Sequence, residues 1–150
     1  MNAMKPILVL NGPNLNRLGK REPQIYGTTT LAEIEGWCRE AAATRPLDFR
    51  QSNHEGVLVD WIHEAIDGGV GGIVINPAGL SFRSIPLLDA LKMVPGPIVE
   101  LHISNIHRRE DIYQHSLVSR VATAVIAGLG PRGYVHAVRA LAEMIDEARG

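Results

Sequence analysis

Three stretches of this sequence combine residue types that can move protons or hold anions. In Glu100-Leu-His102 the carboxylate and the imidazole are two apart, so on a strand they point from the same face. A carboxylate beside an imidazole fixes its tautomer and raises its basicity, which makes His102 a candidate proton donor. The same pair could also be a purely structural hydrogen bond at the end of a sheet. The second stretch, 11–27, carries Arg17, Lys20, Arg21 and Tyr26, with glycines at 12, 19 and 27 and prolines at 13 and 23. An ordinary tyrosine is only about one part in a thousand phenolate at pH 7. A neighbouring guanidinium lowers the phenol's pKa by roughly one to three pH units. Tyr26 beside Arg21 or Arg17 would then serve as a general base towards a carbon acid. The alternative is a basic surface loop with Tyr26 packed on a helix. The third stretch, Asn76-Pro-Ala-Gly79-Leu-Ser, offers a side-chain amide and a turn able to aim backbone N–H groups at an anion, or it is an ordinary turn.

Other chemistries find less support. Glu100, His102, His107, Glu110 and Asp111 could be imagined around a metal, but their spacing matches no standard ligand pattern. The run Gly128-Leu-Gly-Pro-Arg-Gly133 fits a dinucleotide fingerprint in letters only. It follows the last expected strand, leaves no room for an acidic ribose ligand about twenty residues on, and Pro131 deletes a donor N–H. It reads as a tight strand-to-helix turn. A lone Cys38 excludes an internal disulfide and a CxxC redox motif. The net charge of −1 gives no field that would recruit nucleic acid or an acidic membrane surface. Neither a signal peptide nor a long apolar run is apparent, so a cytoplasmic location is expected.

These loops need elements to hold them. At 150 residues, with 45% hydrophobic and 21% charged, one globular domain over 1–150 is expected. Short apolar runs at 6–10, 72–76, 97–101 and 121–127 read as strands, with a less apolar one at 47–51 nearer an edge. Between them lie helical patterns. The first runs from a Thr30 cap to about 45, stopped by Pro46. The second is capped at Ser52-Asn53, with Val57, Leu58, Trp61, Ile62 and Ala65 on one face. Two more span 84–93 and 134–149. Apolar strands alternating with helices imply an α/β fold: a doubly wound five-stranded parallel sheet, order 2-1-3-4-5, with helices on both faces. Ligands in such sheets sit beyond the carboxyl ends of the strands, where the order reverses. The loops after Leu10, Asn76 and Leu101 are the ones found there.

The motif Asn11-Gly-Pro-Asn-Leu-Asn-Arg-Leu-Gly-x-Arg21-Glu-Pro-x-x-Tyr26-Gly resembles the type II 3-dehydroquinate dehydratases. Gln51-Ser-Asn53, Asp60-Trp-Ile62, Asn76-Pro77, Glu100-x-His102-Ile-Ser-Asn105 and Ala127-Gly-Leu-Gly130 extend the resemblance over essentially the whole chain. It implies a flavodoxin-like fold, a homododecamer built as a tetramer of trimers, and no metal or organic cofactor. The implied reaction is a hydro-lyase step of the shikimate pathway to aromatic amino acids, the trans-dehydration of a small keto-acid, 3-dehydroquinate. The other known class of this activity uses a Schiff-base lysine. Here Lys5, Lys20 and Lys92 are the only lysines, none at a strand's carboxyl end.

Position by position, the resemblance makes Tyr26 the base, Arg21 its activator, and Asn14 the holder of a water or the enolate oxygen. His102, oriented by Glu100, becomes the acid. Asn76 and the N–H groups of Ile103 and Ser104 would bind the carboxylate, beside the Gly79 turn. Asp89 would reach a neighbouring subunit's site. The pattern breaks at two positions: Phe82 and Tyr113 stand where the family places a histidine and an arginine for the ring hydroxyls. Arg83, one residue on, is expected to point elsewhere. Loss of hydroxyl donors would weaken the normal substrate or signal another. A divergent lyase on a related cyclic keto-acid and a non-catalytic, ligand-binding relative therefore stay open beside the dehydratase.

Overall fold

Burial follows each strand's place in the sheet. The computed structural model describes residues 3–149, with the side chains of Ile25, Tyr26 and Arg149 outside the described set. Strands β1 (Ile7–Asn11), β3 (Gly72–Asn76) and β4 (Ile98–His102) are buried throughout, whereas β2 (Leu47–Gln51) and β5 (Ala124–Ala127) are only partly covered. The sheet is all-parallel in the order β2-β1-β3-β4-β5; the mixed β2 takes one edge, and the other falls to β5 although its residues, Ala-Val-Ile-Ala, are wholly apolar. This is the doubly wound, flavodoxin-like arrangement that the alternation implies.

Strand parity divides the core. Ile7 and Val9 of β1 face α2 (Leu31–Ala42) and α5 (Gly133–Arg149). Leu8 and Leu10 face α3 (Glu55–Asp67) and α4 (Ile85–Leu91). On α5, Tyr134, Ala137, Val138, Leu141 and Ile145 recur at helical spacing and are all buried. Truncating one of the fully buried leucines to alanine would cost about 2–5 kcal/mol.

Several boundaries differ from the sequence reading, each for a local reason. The first long helix has its Thr30 cap, the hydroxyl accepting from the Glu33 N–H at 3.2 Å, but it ends at Ala42. Ala43 turns left-handed, and Arg45 is drawn inward to Asp146 (2.6 Å) and the Lys5 carbonyl (2.8 Å). Ser52 and Asn53 do not cap α3; His54 holds that position. The Ser52 hydroxyl accepts from the His54 N–H, and the Asn53 side-chain Oδ1 accepts from the Asn14 N–H. Strand β5 starts at Ala124 because Val118–Arg120 forms a 3-10 turn. A four-residue helix, α1 (Pro23–Tyr26), lies inside the loop after β1.

Candidate active site

Parity also aims the polar residues at the carboxyl ends of the strands. Val99 and Leu101 face α5, so Glu100 and His102 both point to the opposite side. There the His102 Nε2 and Glu100 Oε2 lie 2.5 Å apart, with the two side chains 5% and 0% exposed. The other carboxylate oxygen, Oε1, accepts from the Ser119 hydroxyl at 2.5 Å. Burial pushes the Glu100 carboxyl up, but the bonds from His102 and Ser119 outweigh it and hold the group below the ordinary carboxylate range. The buried Ser116 hydroxyl helps hold that charge, although it meets no partner in good geometry among the described residues. An anionic Glu100 engaging Nε2 leaves Nδ1 as the nitrogen free to trade protons.

His102 opens onto a cleft of about 220 Å³ that also touches Asn14, Arg21, Asn76, Gly79, Ile103 and Ser104. Three loops distant in sequence thus meet at one cavity beyond the strand ends. The backbones of two of them touch. The Gly12 N–H donates to the Asn76 carbonyl at 2.9 Å, and a Cβ on Gly12 would lie 2.4 Å from the Pro77 oxygen. Only glycine fits that approach. The third loop is pinned by the run that imitates a dinucleotide motif. The Gly128 and Gly130 N–H groups donate to the His102 and Ile103 carbonyls at 3.2 and 3.0 Å. Those glycines hold the backbone beside the Glu100–His102 pair.

Arg21, which lines the cleft, is 38% exposed and lies 3.7 Å from Glu22. Asn14 has left-handed backbone (φ 72°), and the Asn53 side chain caps its N–H at 2.8 Å. Gln51, donating to the Gly12 carbonyl and to Asn53, completes this anchor. The side chain of Tyr26 lies outside the described residues. Asp89 sits on α4, exposed and 3.6 Å from Lys92, and is not part of the cleft wall. Among the described residues no three of His, Cys, Asp and Glu are placed to hold a metal ion.

The wall next to His102 is aromatic. The Phe82 ring stacks over His102 with centroids 6.4 Å apart, and meets Tyr113 edge-on at 5.6 Å. Arg83 is exposed and lines no part of the cleft. Sequence reasoning missed Arg109, whose guanidinium lies over the Tyr113 ring at 4.1 Å and lines the cleft. It also missed Ser119. Nothing in the local pattern distinguishes either from other polar residues of 104–119; the four-residue offset of Arg109 from Tyr113 was the only hint.

A family model described as class II dehydroquinase matches residues 5–142. The chain belongs to the class II dehydroquinase family. Its relatives in that family include a protein of Streptomyces avermitilis named 3-dehydroquinate dehydratase, 56% identical over 98% of this chain and 94% of the relative. One of the same name from Variovorax paradoxus is 54% identical over 92% of this chain and 99% of its own length. The crystal structure of the type II dehydroquinase from Propionibacterium acnes superposes with a TM-score of 0.89. At 46% identity it covers 95% of this chain and 99% of that one. Family membership accounts for the sheet order and for the clustering of the three loops beyond its carboxyl edge.

Proposed function

We propose that this dehydroquinase-family chain is a hydro-lyase that converts 3-dehydroquinate to 3-dehydroshikimate by trans-elimination through an enolate. The observation that carries the reading is one cleft lined by Arg21 and by a His102 that a buried Glu100 holds at 2.5 Å. Tyr26, which the positive charge of Arg21 favours as the phenolate after loss of its proton to solvent, takes a proton from the carbon next to the ketone. The electron pair moves onto the ketone oxygen, which Asn14 stabilises directly or through a water. The enolate then collapses, the C–O bond breaks, and the His102 Nδ1 proton leaves with the hydroxyl as water. Asn76, the Gly79 turn and the N–H groups of Ile103 and Ser104 hold the carboxylate.

The same reading makes 1–150 a single catalytic domain working in the cytoplasm, and its assembly a dodecamer of four trimers. Asp89, exposed on α4, would then serve a neighbouring subunit's cleft. Among the described residues no helix is long and apolar enough to cross a membrane. The test is direct. Purified protein given 3-dehydroquinate should produce the ultraviolet absorbance of a conjugated enone, and no rise at high enzyme concentration would overturn the proposal. One observation favours a second reading, a lyase acting on a less hydroxylated cyclic keto-acid. Phe82 and Tyr113 form an aromatic wall in place of charged or imidazole donors, with the Arg109 guanidinium beside it. Faster turnover of such a substrate would select this second reading.

A further inference from the structure

A buried chain of hydrogen bonds runs behind the cleft and joins Asn76 to two residues that the proposed reaction does not use, Asn11 and Tyr134. The same parity that turns Val9 and Val74 towards α5 also turns Asn11 and Asn76 there, and both meet the phenol of Tyr134, which is fully buried. Asn11 Nδ2 donates to the Arg50 carbonyl at 3.1 Å. The Tyr134 hydroxyl donates to Asn11 Oδ1 at 2.7 Å, Asn76 Nδ2 donates to the Tyr134 oxygen at 2.9 Å, and the Ala78 N–H donates to Asn76 Oδ1 at 3.2 Å.

Both ends of this chain are backbone groups whose roles cannot change. The Arg50 carbonyl can only accept and the Ala78 N–H can only donate. Every amide and hydroxyl between them is therefore fixed in orientation, with no freedom to flip. Burial also pushes the Tyr134 phenol well above its ordinary pKa, so it remains a proton donor at any working pH. The Asn76 side-chain oxygen, Oδ1, is committed to the N–H of Ala78, a non-glycine residue held left-handed at φ 52°. One Nδ2 hydrogen of Asn76 is committed to Tyr134. What Asn76 can offer the cleft is its remaining N–H, suited to an anion's oxygen. Asn11 and Tyr134 line no part of the cleft.

We infer that Tyr134 and Asn11 are positioning residues that lock Asn76 as a hydrogen-bond donor, so that the cleft accepts a carboxylate at that point. This rests on the reading of Asn76 as a carboxylate-binding residue. In Tyr134→Phe the Asn76 amide loses its anchor and can rotate. The KM for 3-dehydroquinate should rise about tenfold, the worth of one hydrogen bond to a charged group, while kcat stays within about threefold. In an Asn76→Ala background the same substitution should add nothing to KM, because its route is gone. A wild-type KM in Tyr134→Phe overturns the inference, as does an effect that persists in full in the Asn76→Ala background.

If Tyr134→Phe fails to fold, Asn11→Ala serves. It leaves the phenol to turn its proton towards Asn76 and should raise KM in the same way; an unchanged KM there overturns the inference. A readout independent of turnover separates this inference from the proposed activity. The Asn76 side-chain amide of 15N-labelled protein should be protected from hydrogen exchange in the wild type and lose protection in either variant. Protection retained in the variants sinks the positioning role even if dehydroquinate is turned over. Absence of turnover with protection lost as expected sinks only the activity.

Discussion

The two sides of the cleft are built differently. On the strand side Asn76, Glu100 and His102 are 3%, 0% and 5% exposed, and each is fixed by at least one side-chain bond. On the loop side Arg21 is 38% exposed, and the chain crosses left-handed backbone at both Asn14 and Glu22. A group that must hand over a proton along one direction gains from a rigid strand and a buried partner. Groups that must close over a ligand after it enters belong on a connection with freedom to move. The contrast assigns orientation to the sheet and approach to the loop.

The most drastic way to break that contrast is to remove the base proposed for the loop. Tyr26→Phe should cut kcat by about 10²–10⁴-fold while carboxylate binding, proposed for the strand side, stays nearly intact. Wild-type turnover in that variant would show that the base has been misassigned. On the strand side, Glu100→Gln keeps the shape and removes the charge, and kcat should fall about 10²-fold. The same variant tests the electrostatics. Glu100 titrates below its ordinary 4.5 in the folded protein. A depressed carboxyl contributes stability that is present above its unfolded value and lost as pH falls through the folded one. The thermal midpoint of the wild type should therefore drop more steeply below about pH 4.5 than that of Glu100→Gln. Parallel acid limbs would mean that the buried charge is not what stabilises that end of the sheet.

Smaller effects sharpen the picture. Phe82→His with Tyr113→Arg should lower the KM for dehydroquinate by up to about tenfold, if the aromatic wall costs the enzyme hydroxyl contacts. An unchanged KM would assign that role to Arg109, already over the Tyr113 ring. The smallest effect lies far from the cleft. Burial pushes the Cys38 thiol up to about 12, aided by the charge of Glu35 and opposed by Arg39. Its neutral form is favoured in the fold, so its contribution is complete below the ordinary 9.0 and lost as pH rises from there towards 12. The wild type should lose thermal stability over that alkaline range more steeply than Cys38→Ala.

Much of the fold was legible because strand composition carried it. The runs at 72–76 and 97–101 are apolar on both faces and became central strands, while Asp48 and Arg50 marked an edge. Boundaries were less legible where a side chain found a distant partner. The pull of Asp146 on Arg45 cannot be read across the intervening hundred-odd residues, and neither can the use of Asn53 to cap Asn14 rather than a helix. In the site, Glu100 and His102 were visible because two-residue spacing on a strand is a local rule. Arg109 and Ser119 were not, since 3-10 turns carry no comparable periodicity.

The sequence by itself determined the element types, the sheet order and which loops would gather at its carboxyl edge, because periodicity and chain connectivity act locally. Tertiary structure alone decided that a glycine run at the end of β5 pins His102, that an arginine faces Tyr113, and that one phenol fixes the orientation of Asn76. Those outcomes depend on directed contacts between residues far apart in the chain, and hydrogen-bond direction exists only once the partners share one buried space.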